Sequence, residues 1–149
     1  MQPQLSEELL LTVDGKVIQD EPSLMEEFDK HILWRWWGRN YDALCDCLRN
    51  IDALMEIPGE FAILPPGLLV LIHHAEKLFE ENDSAFATTL DIFQTSGEYW
   101  NESTTGWWDS HAPIPFHVLL LCPQNFQKRL QQRIQKLVPA LESVIVKSE

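Results

Sequence analysis

Two uninterrupted apolar runs, LLVLI (Leu68 to Ile72) and VLLLC (Val118 to Cys122), constrain the fold of this chain more than any other feature. Both are far shorter than the ~20 residues a membrane-spanning helix needs. The first follows a breaker-rich stretch, Glu56 to Gly67, that contains Pro58, Gly59, Pro65, Pro66 and Gly67 and reads as a loop. A continuous run bounded in this way is the pattern of a strand buried on both faces, as in a parallel sheet covered by helices. A third strand is expected at LLLTV (Leu9 to Val13), where Asp14-Gly15 marks a turn and KVI continues beyond it. Strands that alternate with helical segments imply an α/β fold: a small three-stranded parallel sheet with helical crossovers.

The helical segments follow from apolar spacing. Pro22-Ser23 opens a helix in which Leu24, Phe28 and Ile32 repeat every four residues, with Glu26, Glu27, Asp29 and Lys30 expected to face water. Trp34 to Gly38 is a connection, and Asn40 is a good N-cap for a helix running to about Leu54. A short helix is expected near Ala75 to Glu80, and another, capped by Ser84, turns Phe86, Leu90 and Phe93 inward. Gly97 to Pro115 reads as a long loop holding Trp100, Trp107 and Trp108. From Gln124 the tail places Phe126, Leu130, Ile134, Leu137 and Leu141 on one stripe, with Lys128, Arg129, Arg133 and Lys136 away from it. The expected organisation is a domain over residues 1–122 and an amphipathic helical extension over 123–149.

Charge narrows the choice of partner. The net charge is −12, unevenly spread. Residues 1–122 hold 6 Lys and Arg against 21 Asp and Glu, a net −15, whereas residues 123–149 are net +3. Such a body repels phosphate, which argues against direct nucleic-acid binding, and attracts basic proteins. A solvated acidic surface that only maintains solubility is the plainer reading. The start, MQPQLSEELL, lacks the positive region and apolar run of a secretory leader. Three cysteines in no regular framework suit a reducing cytoplasm, the expected location.

No Gly-rich phosphate loop, G-x-S-x-G or H-E-x-x-H occurs, so no catalytic motif points to an enzyme. Cys45, Cys47, His73 and His74 do not have the usual ligand spacing for zinc, and no cofactor is expected.

The stretch WWGRNYDALCDCL (Trp36 to Leu48) holds the most informative side chains. Asp42 lies in the first turn after Asn40, where the helix dipole favours a negative charge by ~0.3–1 kcal/mol. Asp46 is one turn further on, and its i−4 neighbour is Asp42, a like-charge pair costing a few tenths of a kcal/mol. Arg49, at i+3, offsets that cost. Two solvated aspartates on a polar helix face remain one reading. The other is a negative knob framed by Trp36, Trp37 and Asn40, suited to a concave cationic target, because carboxylates accept several charge-assisted hydrogen bonds at once.

This stretch resembles the signature of the barstar family, intracellular inhibitors of guanyl-preferring microbial ribonucleases: two aromatics, Gly, any residue, Asn, any residue, Asp-Ala-Leu, any residue, Asp-Cys-Leu. The order of the surrounding elements is also similar, over roughly residues 9–122. The resemblance implies a three-stranded parallel sheet packed with helices, here with an extra C-terminal helix. It also implies a non-enzymatic role: plugging the basic active site of a barnase-like ribonuclease or a toxin nuclease domain. On the family pattern Asp46 matches the carboxylate that meets the catalytic basic cluster, and Asp42 the second acidic contact. Trp36, Trp37, Gly38 and Asn40 match the segment in front. Cys45 occupies a position that is tryptophan in the family's interface, while Ile92 and Thr95 fall at an apolar and an acidic contact. The implied target-binding set is therefore Trp36, Trp37, Gly38, Asn40, Asp42, Cys45, Asp46, Ile92 and Thr95. The alternative is a regulatory or structural interaction module on the same fold.

Overall fold

In the computed structural model, which describes residues 8–56, 65–102, 113–142 and 144–149, four parallel strands pair in chain order. They are β1 (Leu9–Asp14), β2 (Leu68–His73), β3 (Phe116–Cys122) and β4 (Val144–Ser148). Leu11 pairs with Val70, Val70 with Val118, and Val118 with Val144, which fixes the register. The crossovers are α1 (Glu21–Asp29), α2 (Tyr41–Leu48) and α3 (Ile51–Leu54), then α4 (Asp83–Asn101), then α5 (Gln124–Leu137). Short 3-10 turns follow β1 at Gly15–Val17 and β2 at Ala75–Lys77.

The sheet thus has four strands, not the three expected from the sequence, and the C-terminal extension is a helix followed by a strand. Pro139 disfavours helical geometry at Val138, which leaves the helix at φ −140° and ψ 67°. The chain then turns back, and VIVKS extends the sheet at its β3 edge.

Parallel strands in the order 1-2-3-4, joined by crossovers of the near-universal right hand, are expected to carry their helices on one face. Burial follows that layering. Leu11, Val13, Val70, Ile72, Val118, Leu120 and Cys122 are buried beneath the helices. Leu69, Leu71, Leu119 and Leu121 alternate with them and are only half-buried, and Leu10 and Ile145 on the same side are exposed. The apolar runs suggested strands covered on both faces; among the described residues one face carries the core and the other is a half-open leucine surface.

Local chemistry sets the helix ends. Asp20 and Ser23 form a reciprocal capping box at the start of α1. Glu27, expected to face water, is instead buried: it accepts the Asp14 backbone N–H at 2.9 Å and pairs with Lys30, tying α1 to the end of β1. Glu27→Ala orphans that N–H and is expected to cost about 1–3 kcal/mol, read by urea denaturation. An unchanged midpoint would show that water satisfies it.

The expected helix from Asn40 to Leu54 is broken at Arg49 and Asn50, whose N–H groups close tight turns onto Asp46 and Cys47. The buried Trp100 indole donates to the Leu48 carbonyl at 2.7 Å, satisfying an acceptor at the end of α2. Trp100 belongs to α4, not to a loop: Gly97 lies buried within that helix, which runs on to Asn101. Its cap is Asn82, whose side chain accepts from Ala85 N–H, rather than Ser84. Trp107 and Trp108 lie outside the described residues.

Arg133 also departs from the expected solvent face of α5. Its guanidinium bonds Asp83 and the carbonyls of Leu78 and Phe79, and its Cζ lies 3.9 Å from the centroid of the Phe86 ring. Phe79 is in the left-handed region at φ 46°.

Candidate functional site

The connection from α1 to α2 is held from both sides. The His31 ring nitrogen Nε2 lies 2.7 Å from the Thr12 carbonyl, and Leu33 N–H donates to Ala53 O. Between these anchors and α2 the chain exposes Leu33, Trp34 and Trp36. The two adjacent tryptophans part company: Trp36 is 85% exposed and Trp37 only 5%. Trp37 packs in the core and its indole donates to Asp29 at 2.7 Å, so its ring is structural and not offered to a partner. Trp36 is the aromatic on offer, with the Arg35 guanidinium 5.2 Å from its ring centroid.

Gly38 sits against the first turn of α2. A Cβ there would lie 3.2 Å from the Ala43 Cβ and 3.3 Å from Asn40 Nδ2, so its smallness positions the turn. Arg39 adopts φ 50° and folds back to Asp29 at 3.0 Å, over the Trp37 ring. Its charge is thereby neutralised on α1. Asn40 caps α2 by accepting the Ala43 N–H at 2.8 Å, so its carbonyl oxygen is already in use.

Asp42 and Asp46 both project from α2 into solvent. Asp46 is 65% exposed in its side chain and pairs with Arg49 at 2.7 Å, as the i+3 spacing suggested. Leu44, Cys47 and Leu48 bury the opposite face of the helix. Cys45 lies half-buried between the acidic groups. Burial pushes its thiol pKa up, Asp46, Asp42 and Asp91 add to the rise, and Arg49 opposes it.

Asp91 was not evident as a site residue. It is exposed on α4, one turn before the exposed Thr95, and its charge reaches Cys45. Spacing of i, i+4 from Thr95 on a helix packed against α2 was the available signal. Ile92 differs: at 8% exposure it joins the core and offers a partner little surface. The structure therefore brings Trp36, Asn40, Asp42, Cys45 and Asp46 onto one connection and helix, with Asp91 and Thr95 on the adjoining helix. It withdraws Trp37 and Ile92 into the interior.

All three cysteines are free. Burial raises Cys47 to about 11 and raises Cys122 as well. All three are therefore thiols at neutral pH. Iodoacetamide at pH 8 is expected to label the native protein slowly and at Cys45 first, with Cys47 and Cys122 reacting only after unfolding. Rapid native labelling of Cys47 would contradict this packing. Among the described residues no group of three or more His, Cys, Asp or Glu side chains is arranged to hold a metal ion. Nor is any described helix long and apolar enough to cross a membrane.

No curated protein and no solved structure matches the chain. A protein-family model does: the one described as Barstar (barnase inhibitor) matches residues 9–121, from the first residue of β1 to the penultimate residue of β3. That span includes the capped α2 with its exposed aspartates, and by it the chain belongs to the barstar family.

Proposed function

We propose that this protein is a cytoplasmic, non-enzymatic inhibitor of a basic barnase-like ribonuclease or toxin nuclease domain, and that α2 and the segment before it plug the enzyme's active site. The observation that carries the reading is the pair of exposed carboxylates on the capped helix α2, beside an almost fully exposed Trp36. Asp46 is the main phosphate-mimicking group and Asp42 the second. Trp36 supplies anchoring area and excludes water, as aromatic side chains do at interfaces. Asn40 and Gly38 hold the presenting turn. Thr95 and Cys45 lie at the rim, and Asp91 adds negative charge from α4. Opposite charge steers barnase and barstar together, and a net −12 gives this chain the sign of field needed to draw in a basic enzyme. The inhibitory part is assigned to residues 1–122, with 123–149 an extension docked on the same sheet.

A second reading has one observation in its favour. Asp46 is already paired with Arg49, which suits an interaction module whose partner does not need this carboxylate. Titration against a panel of basic barnase-like ribonucleases and toxin nuclease domains, at low and physiological salt, separates the two. An inhibitor forms a 1:1 complex with an association rate that falls steeply as salt rises. Salt-independent association, or no complex with any basic nuclease, would overturn the inhibitor reading.

A further inference from the structure

A cavity of about 300 Å³ lies between the turn after β2 and the first half of α5, and no part of the inhibitor reading uses it. Glu76, Lys77 and Glu80 form one wall, and Phe126, Arg129 and Arg133 belong to the other. The turn follows β2 directly and α5 follows β3, so both walls spring from carboxyl ends of parallel strands.

Glu76 is the unexplained group. Its side chain is only 8% exposed, and its Oε2 has no hydrogen-bond partner among the described residues. Its Oε1 lies 3.8 Å from His74 Nδ1, beyond hydrogen-bonding distance. A buried carboxylate without a donor is costly, so native proteins satisfy such atoms with protein, water or ligand. The cations beside it are engaged elsewhere. Lys77 faces Glu80 at 3.6 Å, and Arg133 is held by Asp83 and two carbonyls. Arg129 lies over the Phe126 ring at 5.8 Å and, among the described residues, pairs with no carboxylate.

We propose that this cavity binds a small zwitterion of the amino-acid type, with its ammonium on Glu76, its carboxylate on Arg129 and an apolar side chain along Phe126. Charge selects this class. A bare polyamine would meet Lys77, Arg129 and Arg133, and a bare anion would meet Glu76 and Glu80. A neutral zwitterion brings an ammonium to the Glu76 side chain that lines the cavity and a carboxylate to the Arg129 guanidinium together. Size agrees, since the volume is at the lower end of small-ligand pockets.

The test is an NMR titration of the full chain with L-leucine, N-acetyl-L-leucine and L-leucine amide. L-leucine is expected to shift amides of residues 75–80 and 126–133 saturably. The N-acetyl compound, without an ammonium, and the amide, without a carboxylate, are expected to bind at least about tenfold more weakly. Glu76→Gln and Arg129→Gln are expected to lose leucine affinity by a similar factor, with the rest of the spectrum unchanged. No saturable shift with L-leucine, or equal affinity in wild type and Glu76→Gln, would overturn the proposal.

Discussion

Asp46→Ala is expected to weaken binding of the target nuclease by about 30-fold to several thousand-fold while leaving the fold intact. The range corresponds to the ~2–5 kcal/mol lost when one partner of a buried, hydrogen-bonded interfacial charge pair is truncated. Much of that loss is the penalty of leaving the enzyme's cations desolvated and unpaired. In the free protein the same change is cheap. Asp46 is mostly exposed, its partner Arg49 lies at 2.7 Å on the surface, and such pairs are worth ~0–1 kcal/mol. Removing Asp46 also relieves the like-charge pairing with Asp42. Asp46→Asn separates charge from shape, and most of the loss is expected to remain. Binding by calorimetry and stability by urea denaturation, measured in parallel, distinguish a lost contact from a lost fold.

Arg133→Ala is expected to cost about 2–4 kcal/mol of stability, the largest effect of any single charged side chain outside the site. The guanidinium serves the carbonyls of Leu78 and Phe79, pairs with Asp83 and stacks on Phe86. Unsatisfied acceptors cost ~1–3 kcal/mol, and a partly desolvated cation–π contact adds up to ~2 kcal/mol. Arg133→Lys keeps the charge but not the planar fork, and most of the loss is expected to persist. Arg133 is thus the fastening of the extension. Ending the chain at Cys122 would remove it and also bare the β3 edge that β4 now pairs, a predicted site of aggregation. A soluble, cooperatively folding truncation would show that α5 and β4 are accessory.

The strands and the capped helix were legible because their signals are local. Apolar runs marked β1, β2 and β3, and Asn40 marked the start of α2. Features set by tertiary packing were not. Nothing local tells Trp36 from Trp37; the difference arises because Asp29, from the preceding helix, receives the Trp37 indole. Glu27 reads as a solvent residue until β1 ends above it with an unpaired N–H. The burial of Ile92 in the core and the exposure of Asp91 one residue earlier depend on how α4 packs on the body. A five-residue strand after Pro139 is too short for periodicity to announce, and only pairing with β3 defines it.

The most direct measurement is the turnover of a dinucleotide substrate by a barnase-like nuclease saturated with this protein. So small a substrate escapes blockage by bulk at the mouth of the site, so its cleavage reports occupancy of the catalytic centre itself. With Asp46 and Asp42 seated among the catalytic cations, turnover falls to background at one equivalent, and Asp46→Ala restores it at the same concentration. A saturated complex that still cleaves the dinucleotide at the free enzyme's rate would contradict the plug.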